Sequence, residues 1–95
     1  MNAKKTIILP QYRPYFEELG DNIRLARKRR QLTVNQIAQR ASIHRATLYR
    51  IEKGDPSVSI GSYFKVFKAM NLHEDFKWLG ANDVEGQRLQ DLSLL

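Results

Sequence analysis

Two short helical segments joined by a tight turn constrain this chain more than any other feature of its sequence. They lie within residues 32–54, LTVNQIAQRASIHRATLYRIEKG. Thr33, with Gln36 three positions later, has the pattern of a capping box and predicts a helix that starts there and runs to about Ala41. A turn at residues 42–44 then leads into a second short helix.

The second short helix is predicted at about residues 45–53. Gly54 has the place of a C-terminal stop, and Asp55 followed by Pro56 prevents the helix from continuing. Two helices that cross steeply need a small side chain where they come closest, and Ala38 meets that need. Apolar residues anchor the pair on both sides of the turn, at Ile37, Ala41, Ile43, Leu48 and Ile51.

The turn between the two helices poses a conformational problem. A turn this tight usually contains a residue in the left-handed region, where glycine is the easiest choice. Ser42 stands at that place. We therefore expect either slight backbone strain or a turn that avoids left-handed angles.

The remaining pattern predicts an all-α fold of five helices, with a short N-terminal strand as an open alternative. A first helix is expected at about residues 15–30, where apolar side chains recur at helical spacing. A fourth is expected at about residues 60–70, with Phe64 and Phe67 as its core face, and a short fifth at residues 72–79. The stripe of the first helix consists of Phe16, Leu19, Ile23 and Ala26.

The two ends of the chain flank a helical domain at residues 15–79. Residues 1–14 are interpreted as an arm, in which TIIL at residues 6–9 is either a strand that pairs with a second subunit or a loose segment. Residues 80–95 form a polar, leucine-dotted tail that is either disordered or ordered by a partner. Its candidate anchors are Leu89, Leu92, Leu94 and Leu95.

Charge is distributed unevenly along the chain. The net charge of +6 arises from 16 Lys and Arg against 10 Asp and Glu. Residues 24–53 carry nine bases opposed by Glu52 alone, whereas acids outnumber bases in residues 74–95. A basic centre suits a polyanion, although a solvated basic face would have the same composition.

Several classes of function are not expected from this sequence. The chain has no cysteine, and its two histidines, His44 and His73, are too far apart in sequence to suggest a metal site. No nucleophile stands beside a base and no glycine-rich phosphate loop is present, so we expect neither an enzyme nor a cofactor. No apolar run approaches the roughly 20 residues that span a bilayer. We therefore expect a cytoplasmic protein.

The outer face of the second short helix suits base edges in the DNA major groove. Arg45 begins this helix, and arginine can bind guanine O6 and N7 in a bidentate manner. Thr33 and Asn35, at the start of the preceding helix, can contact a phosphate. Tyr49 can stack on a sugar or pack beside that helix. The predicted reading face consists of Arg45, Ala46, Thr47, Tyr49, Arg50 and Lys53; for its arginines the alternative is ordinary surface charge.

The pattern LTxNQIAxRAxIxRxTLYRIEKG resembles the XRE/Cro–C1 type helix-turn-helix repressors over about residues 19–79. The resemblance implies a five-helix, lambda-repressor-like domain and an ion pair between Arg27 and Glu52. Two positions depart from the family. Val34 stands where many members have a phosphate-gripping glutamine, and His44 stands where serine or threonine usually caps the recognition helix. His44 can cap weakly or reach a phosphate.

A narrower resemblance involves LGDNIRLARKRRQLT, EKGDPSVSIGSYFKVFKAMNL and GQRLQDLSL. These segments are similar to antitoxins encoded beside HipA-like kinase toxins. The resemblance implies a bacterial, nucleoid-associated homodimer that binds a palindromic double-stranded DNA operator, represses its own operon and holds the toxin. The alternatives are a stand-alone or phage-type regulator without a toxin, and an interaction module whose main task is to mask a toxin.

Overall fold

Helices make up all the regular secondary structure of residues 5–94, which are the residues described by this computed structural model. The predicted all-α fold is therefore confirmed. Residues 1–4 of the predicted arm and Leu95 of the predicted tail lie outside the described residues. The α-helices are α1 (Arg13–Arg29), α2 (Val34–Ala41), α3 (Arg45–Glu52), α4 (Ile60–Ala69) and α5 (Val84–Leu94), and short 3-10 helices cover Pro10–Tyr12 and His73–Trp78.

The N-terminal segment does not form the strand that was one of its two alternatives. Residues 5–9 have no regular secondary structure, because no second extended segment lies beside them within the described chain. Thr6 instead contacts the loop after α3, where its backbone N–H donates to Ser57 Oγ at 2.7 Å. Helix α1 begins at Arg13, two residues before the predicted start, because Pro14 is well accommodated in a first helical turn.

The C-terminal third also differs from expectation. The predicted fifth helix at residues 72–79 is the 3-10 helix His73–Trp78, in which Phe76 packs edge-on against Phe64 and Phe67 with ring centroids 5.1 and 5.0 Å apart. The tail, for which disorder was one alternative, contains helix α5. This helix buries none of its residues, and the molecule is elongated, 54 × 29 × 26 Å.

The core lies between α1, α2, α3 and α4. Its most deeply buried side chains include Ile37, Leu48, Ile51 and Val66, each 0% exposed. The predicted core face of α4 is partly wrong, since Phe64 is 38% exposed and Phe67 lies half-buried at the margin. The α4 core face is formed by Tyr63, Val66 and Met70, because the helix is rotated so that this stripe, and not the neighbouring stripe with Phe64 and Phe67, faces the core.

Helices α1 to α4 all end in the same way. In each, a residue with positive φ follows the last turn, and the next N–H donates to a carbonyl five residues earlier, as in a Schellman motif. At α2 this residue is Ser42, with φ of 56° and ψ of 45°. The turn therefore uses left-handed angles, which cost a non-glycine residue about 1–2 kcal/mol. The residues with positive φ that follow α1, α2, α3 and α4 are, in that order, Gln31, Ser42, Gly54 and Asn71.

Helix α1 touches the end of α3 through backbone atoms. A Cβ placed on Gly20 would lie 2.6 Å from the Glu52 carbonyl oxygen and 2.6 Å from the Gly54 nitrogen. A Cβ on Gly54 would collide with the Phe16 carbonyl in turn. Glycine within α1 is unfavourable for the isolated helix, but here it allows two backbones to approach closely.

We expect Gly20→Ala to destabilise the protein by about 1–3 kcal/mol, because overpacking against backbone exceeds the gain of about 1 kcal/mol in helix propensity. Urea unfolding followed by circular dichroism measures the change. Gly61→Ala is the matched control, since its Cβ would meet nothing closer than Ser59 Oγ at 3.9 Å. The control should gain up to about 1 kcal/mol. Equal effects of the two substitutions would contradict a backbone contact at Gly20.

Candidate nucleic-acid interface

Helix α3 buries one side and presents the other to solvent. Leu48 and Ile51 are fully buried in the core, and Thr47 lies half-buried at its edge. The other predicted reading residues, Arg45, Ala46, Tyr49, Arg50 and Lys53, are exposed. Helix α3 is therefore fixed by its apolar side while a basic face remains open.

The two arginines of this face occupy opposite flanks. An α-helix turns about 100° per residue, so the five-residue step from Arg45 to Arg50 separates them by about 140°. This corrects the expectation that they share one face. Ala46 and Lys53 lie between the flanks, and Tyr49 lies nearer to Arg45. An interface that uses both arginines must therefore extend across the width of α3.

Tyr49 lies beside α1. It is half exposed and borders a shallow polar recess together with Arg24 and Lys28 of α1. Packing beside α2 was one of the two alternatives for Tyr49, and the structure places the side chain beside α1 instead. Contact with a sugar stays a prediction.

Arg50 is held by a carboxylate in the loop after α3. Its Nε donates to Asp55 Oδ2 at 2.8 Å, and the Arg50 side chain remains 51% exposed. The Ser57 backbone N–H donates to Asp55 Oδ1, also at 2.8 Å. The hydrogen bond from Arg50, followed by that from Ser57, lowers the pKa of Asp55 below its usual range. Arg50 therefore has a defined position while about half of its side chain stays exposed.

Arg27 and Glu52 tie α1 to the last residue of α3. Arg27 Nε and Nη2 donate to the two Glu52 carboxylate oxygens at 2.7 and 2.9 Å, and Nη1 donates to the Leu32 carbonyl at 3.1 Å. The side chains are only 12% and 7% exposed. The hydrogen bond to Glu52 raises the pKa of Arg27 despite the opposing effect of burial. The acid within the basic region is thus part of the scaffold.

The start of α2 satisfies part of its own hydrogen-bonding capacity. The Gln36 N–H donates to Thr33 Oγ1 at 3.1 Å, while the Thr33 N–H donates to Gln36 Oε1 at 2.8 Å, so the predicted capping box is present. The Thr33 N–H is therefore committed within the protein. An approaching phosphate would find the Thr33 hydroxyl and the exposed side chain of Asn35. Val34 packs against the core, which accounts for an apolar residue there.

His44 is exposed at the N-cap of α3 but makes no side-chain capping hydrogen bond. The weak-cap alternative is therefore wrong, and a phosphate contact stays a prediction. The first turn of α3 contains no acidic residue. Its backbone N–H groups consequently face an environment that favours an anion.

Sequence reasoning missed two features beside this face. Asp55 was interpreted only as part of a helix stop, although an aspartate that accepts from the N–H two residues later is a known turn pattern. Tyr63 was missed as a core residue. Its hydroxyl donates to the Asp55 carbonyl at 2.7 Å, and burial, with the nearby Asp55 charge, raises the pKa of Tyr63 to about 12. Tyr63 and Ser57 together fix the loop that carries Asp55.

Helices α2 and α3, which pack on each other across a tight turn and leave a basic face open, define a helix-turn-helix domain. Residues 18–63 match a family model described as a helix-turn-helix domain. That domain indicates a DNA-binding regulator. Neither a search of curated proteins nor a search of solved structures finds a significant match.

Two further properties concern residues 5–94 only. No helix there is long and apolar enough to cross a membrane. The same residues contain no cluster of three or more His, Cys, Asp or Glu side chains that could hold a metal ion.

We expect Glu52→Leu to destabilise the protein by about 3 kcal/mol, because it leaves the buried Arg27 cation without its partner. This is the low end of such costs, since Arg27 keeps its bond to the Leu32 carbonyl. The double variant Arg27→Met, Glu52→Leu should recover most of the loss, because no unpaired charge remains. Chemical denaturation measures both. If the double variant is less stable than Glu52→Leu, the pair is not coupled in this way.

Proposed function

We propose that this protein is a sequence-specific DNA-binding transcriptional repressor. The observation that carries the proposal is the exposed basic face of α3, presented by a helix whose other side is fully buried. In helix-turn-helix proteins the recognition helix inserts into the major groove with its N-terminal residues at base edges. Arg45 stands at that end of α3, so it is the first candidate for a base contact. Repression would follow from occlusion of polymerase at the operator on the bacterial nucleoid.

The roles of the other site residues follow from their positions. Ala46 and the Thr47 methyl can contact a thymine methyl, and Lys53 suits a phosphate. Thr33 and Asn35 approach the backbone from the start of α2, and His44 does so from the turn. Binding rather than catalysis is the proposed activity, since these groups are donors and apolar contacts for a groove.

The proposed assembly on DNA is a homodimer. A single short recognition helix contacts few base pairs, whereas two related helices read a palindrome with half-sites one helical turn apart, about 34 Å. A chain of 95 residues also has only a modest core, which association of two copies would extend.

Selection of binding sites from random duplex DNA with the purified full chain tests this proposal. We expect an enriched palindrome with half-site centres about 10 base pairs apart. Arg45→Ala should weaken binding to that site by about 1–3 kcal/mol at fixed salt and relax the base preference at one position. Fluorescence anisotropy measures the affinity, with Arg88→Ala in α5 as a control of equal charge.

Three results would contradict this assignment. No enriched sequence would argue against specific DNA binding, and a single half-site bound by a monomer would argue against the dimer. Unchanged affinity in both Arg45→Ala and Arg50→Ala would show that the exposed side of α3 is not the reading face.

We further propose that the repressor is the antitoxin of a HipA-like kinase and autoregulates their shared operon. The similarity of three segments, ending with GQRLQDLSL, supports this partner. A second support is helix α5, whose Leu89 and Leu92 are both more than half exposed. A helix of eleven residues is marginal on its own, so a partner that covers these leucines would stabilise it. A stand-alone or phage-type regulator without a toxin is the alternative.

Co-purification with a HipA-like kinase encoded beside this gene tests the antitoxin proposal. We expect Leu89→Lys and a deletion of residues 81–95 to reduce kinase capture at least tenfold while operator binding is retained, since each removes an apolar anchor. Gln87→Lys, on another side of α5, is the control and should leave capture unchanged. Intact capture after the deletion would exclude the tail as the anchor, and a locus without a kinase gene would favour the stand-alone regulator.

A further inference from the structure

One of the four helix stops differs from the other three. After the left-handed residue, α1, α2 and α4 continue with Leu32, Ile43 and Leu72, each of which packs against the core. A hydrophobic residue at this place is the usual companion of a Schellman motif. After α3 the same place is occupied by Asp55, whose backbone N–H donates to the Arg50 carbonyl at 3.0 Å. The motif is kept, but its hydrophobic residue is replaced by a carboxylate.

The Asp55 carboxylate is divided between two donors. Oδ1 accepts the Ser57 backbone N–H and Oδ2 accepts Arg50 Nε, each at 2.8 Å. The backbone around it is also fixed, because the Tyr63 hydroxyl donates to the Asp55 carbonyl and the Ser57 hydroxyl accepts from the Thr6 N–H. The carboxylate therefore has a set orientation before any ligand arrives.

This orientation leaves a particular edge of Arg50 available. A guanidinium has five N–H donors in one plane, and Asp55 engages only the one on Nε. The Nη1 and Nη2 groups lie at the outer end of a side chain that is half exposed. These two groups are the pair that can reach guanine O6 and N7 together. Holding the side chain in place also reduces the rotamer freedom lost on binding.

We propose that Asp55 is a positioning residue that presents Arg50 end-on to a guanine and so sets specificity at one base pair of each half-site. This inference rests on the proposed DNA-binding function. Asp55 itself makes no contact with DNA; it acts through Arg50. Because its negative charge offsets that of Arg50, the pair is a poor phosphate ligand and favours a base edge over the backbone. The hydrogen bonds from Arg50 and Ser57 lower the pKa of Asp55, so the carboxylate stays ionised to a lower pH than an ordinary aspartate.

Asp55→Asn in the full chain tests the proposal. The probes are the operator selected with the wild-type protein and the same duplex carrying 7-deazaguanine, which lacks the N7 acceptor, at each guanine in turn. For wild type we expect one guanine in each half-site, separate from any that Arg45 contacts, at which this replacement weakens binding roughly tenfold or more and no longer does so in Arg50→Ala. Asp55→Asn should lose most of that discrimination. It should also bind non-specific DNA more tightly with a steeper salt dependence, because the Arg50 charge is released.

Three further variants separate positioning from folding and from charge alone. Asp91→Asn removes an equal charge from α5 and should leave discrimination unchanged. Arg50→Lys keeps a cation for Asp55 but lacks the two-donor end, so it should lose the same guanine preference while remaining folded. Arg50→Ala with Asp55→Asn should discriminate no worse than Arg50→Ala alone, since both changes act on one contact.

The outcomes distinguish this proposal from the function on which it rests. If Asp55→Asn retains the guanine preference of wild type, Asp55 does not position Arg50, although DNA binding stands. If Arg50→Lys and Arg50→Ala retain it, Arg50 does not read the guanine and the proposal fails in the same way. If wild type selects no sequence at all, both the proposed function and this inference are overturned.

Discussion

The contact between α1 and the end of α3 is the constraint on which the rest of the structure depends. Helix α3 has only eight residues, too few to be stable alone. Gly20 lets the α1 backbone approach the α3 terminus, and Arg27 fastens the two helices through Glu52 a little further along. The close approach at Gly20 and the hydrogen bonds between Arg27 and Glu52 involve only the inner side and the end of α3. The outer face can therefore be basic and exposed without loss of the attachment, which separates the residues that hold α3 from those that would read DNA.

The second organising feature is the shared way in which α1 to α4 end. A left-handed residue reverses the chain within two positions, and the next side chain usually returns to the core. This allows consecutive short helices to change direction and pack on one another in a small domain. Ser42 shows the cost, because it adopts angles that glycine would adopt more easily. The Ile43 side chain that follows packs against the core and offsets that strain.

The sequence predicted the features that depend on local pattern. The capping box at Thr33 and the stop at Gly54 follow from hydrogen bonds and backbone angles within a few residues, and the pairing of Arg27 with Glu52 followed from resemblance. Features set by tertiary packing were missed. Phe64 and Phe67 look equally apolar in sequence, but the direction of α4 decides which of them is covered. Helix α5 was not predicted because its polar sequence has no clear stripe. The role of Gly20 depends on a neighbour 32 or more positions away, which no local pattern reveals.

The electrostatics of the reading face follow from the same division between scaffold and surface. Glu52 and Asp55 are the acids next to the basic positions of α3, yet they differ in exposure and in effect. Glu52 is almost fully covered and offsets Arg27, a cation that belongs to the scaffold. Asp55 is more exposed and offsets Arg50, a cation at the surface.

Arg45 and Lys53, on the other parts of the face, stay exposed. A polyanion would therefore meet a surface whose attraction is strongest at Arg45 and Lys53 and weakest on the Arg50 flank. Attraction that depends on charge alone is the same for every sequence. In the proposed DNA complex, the flank with the smallest net charge would consequently be the one where geometry contributes most to the choice of base.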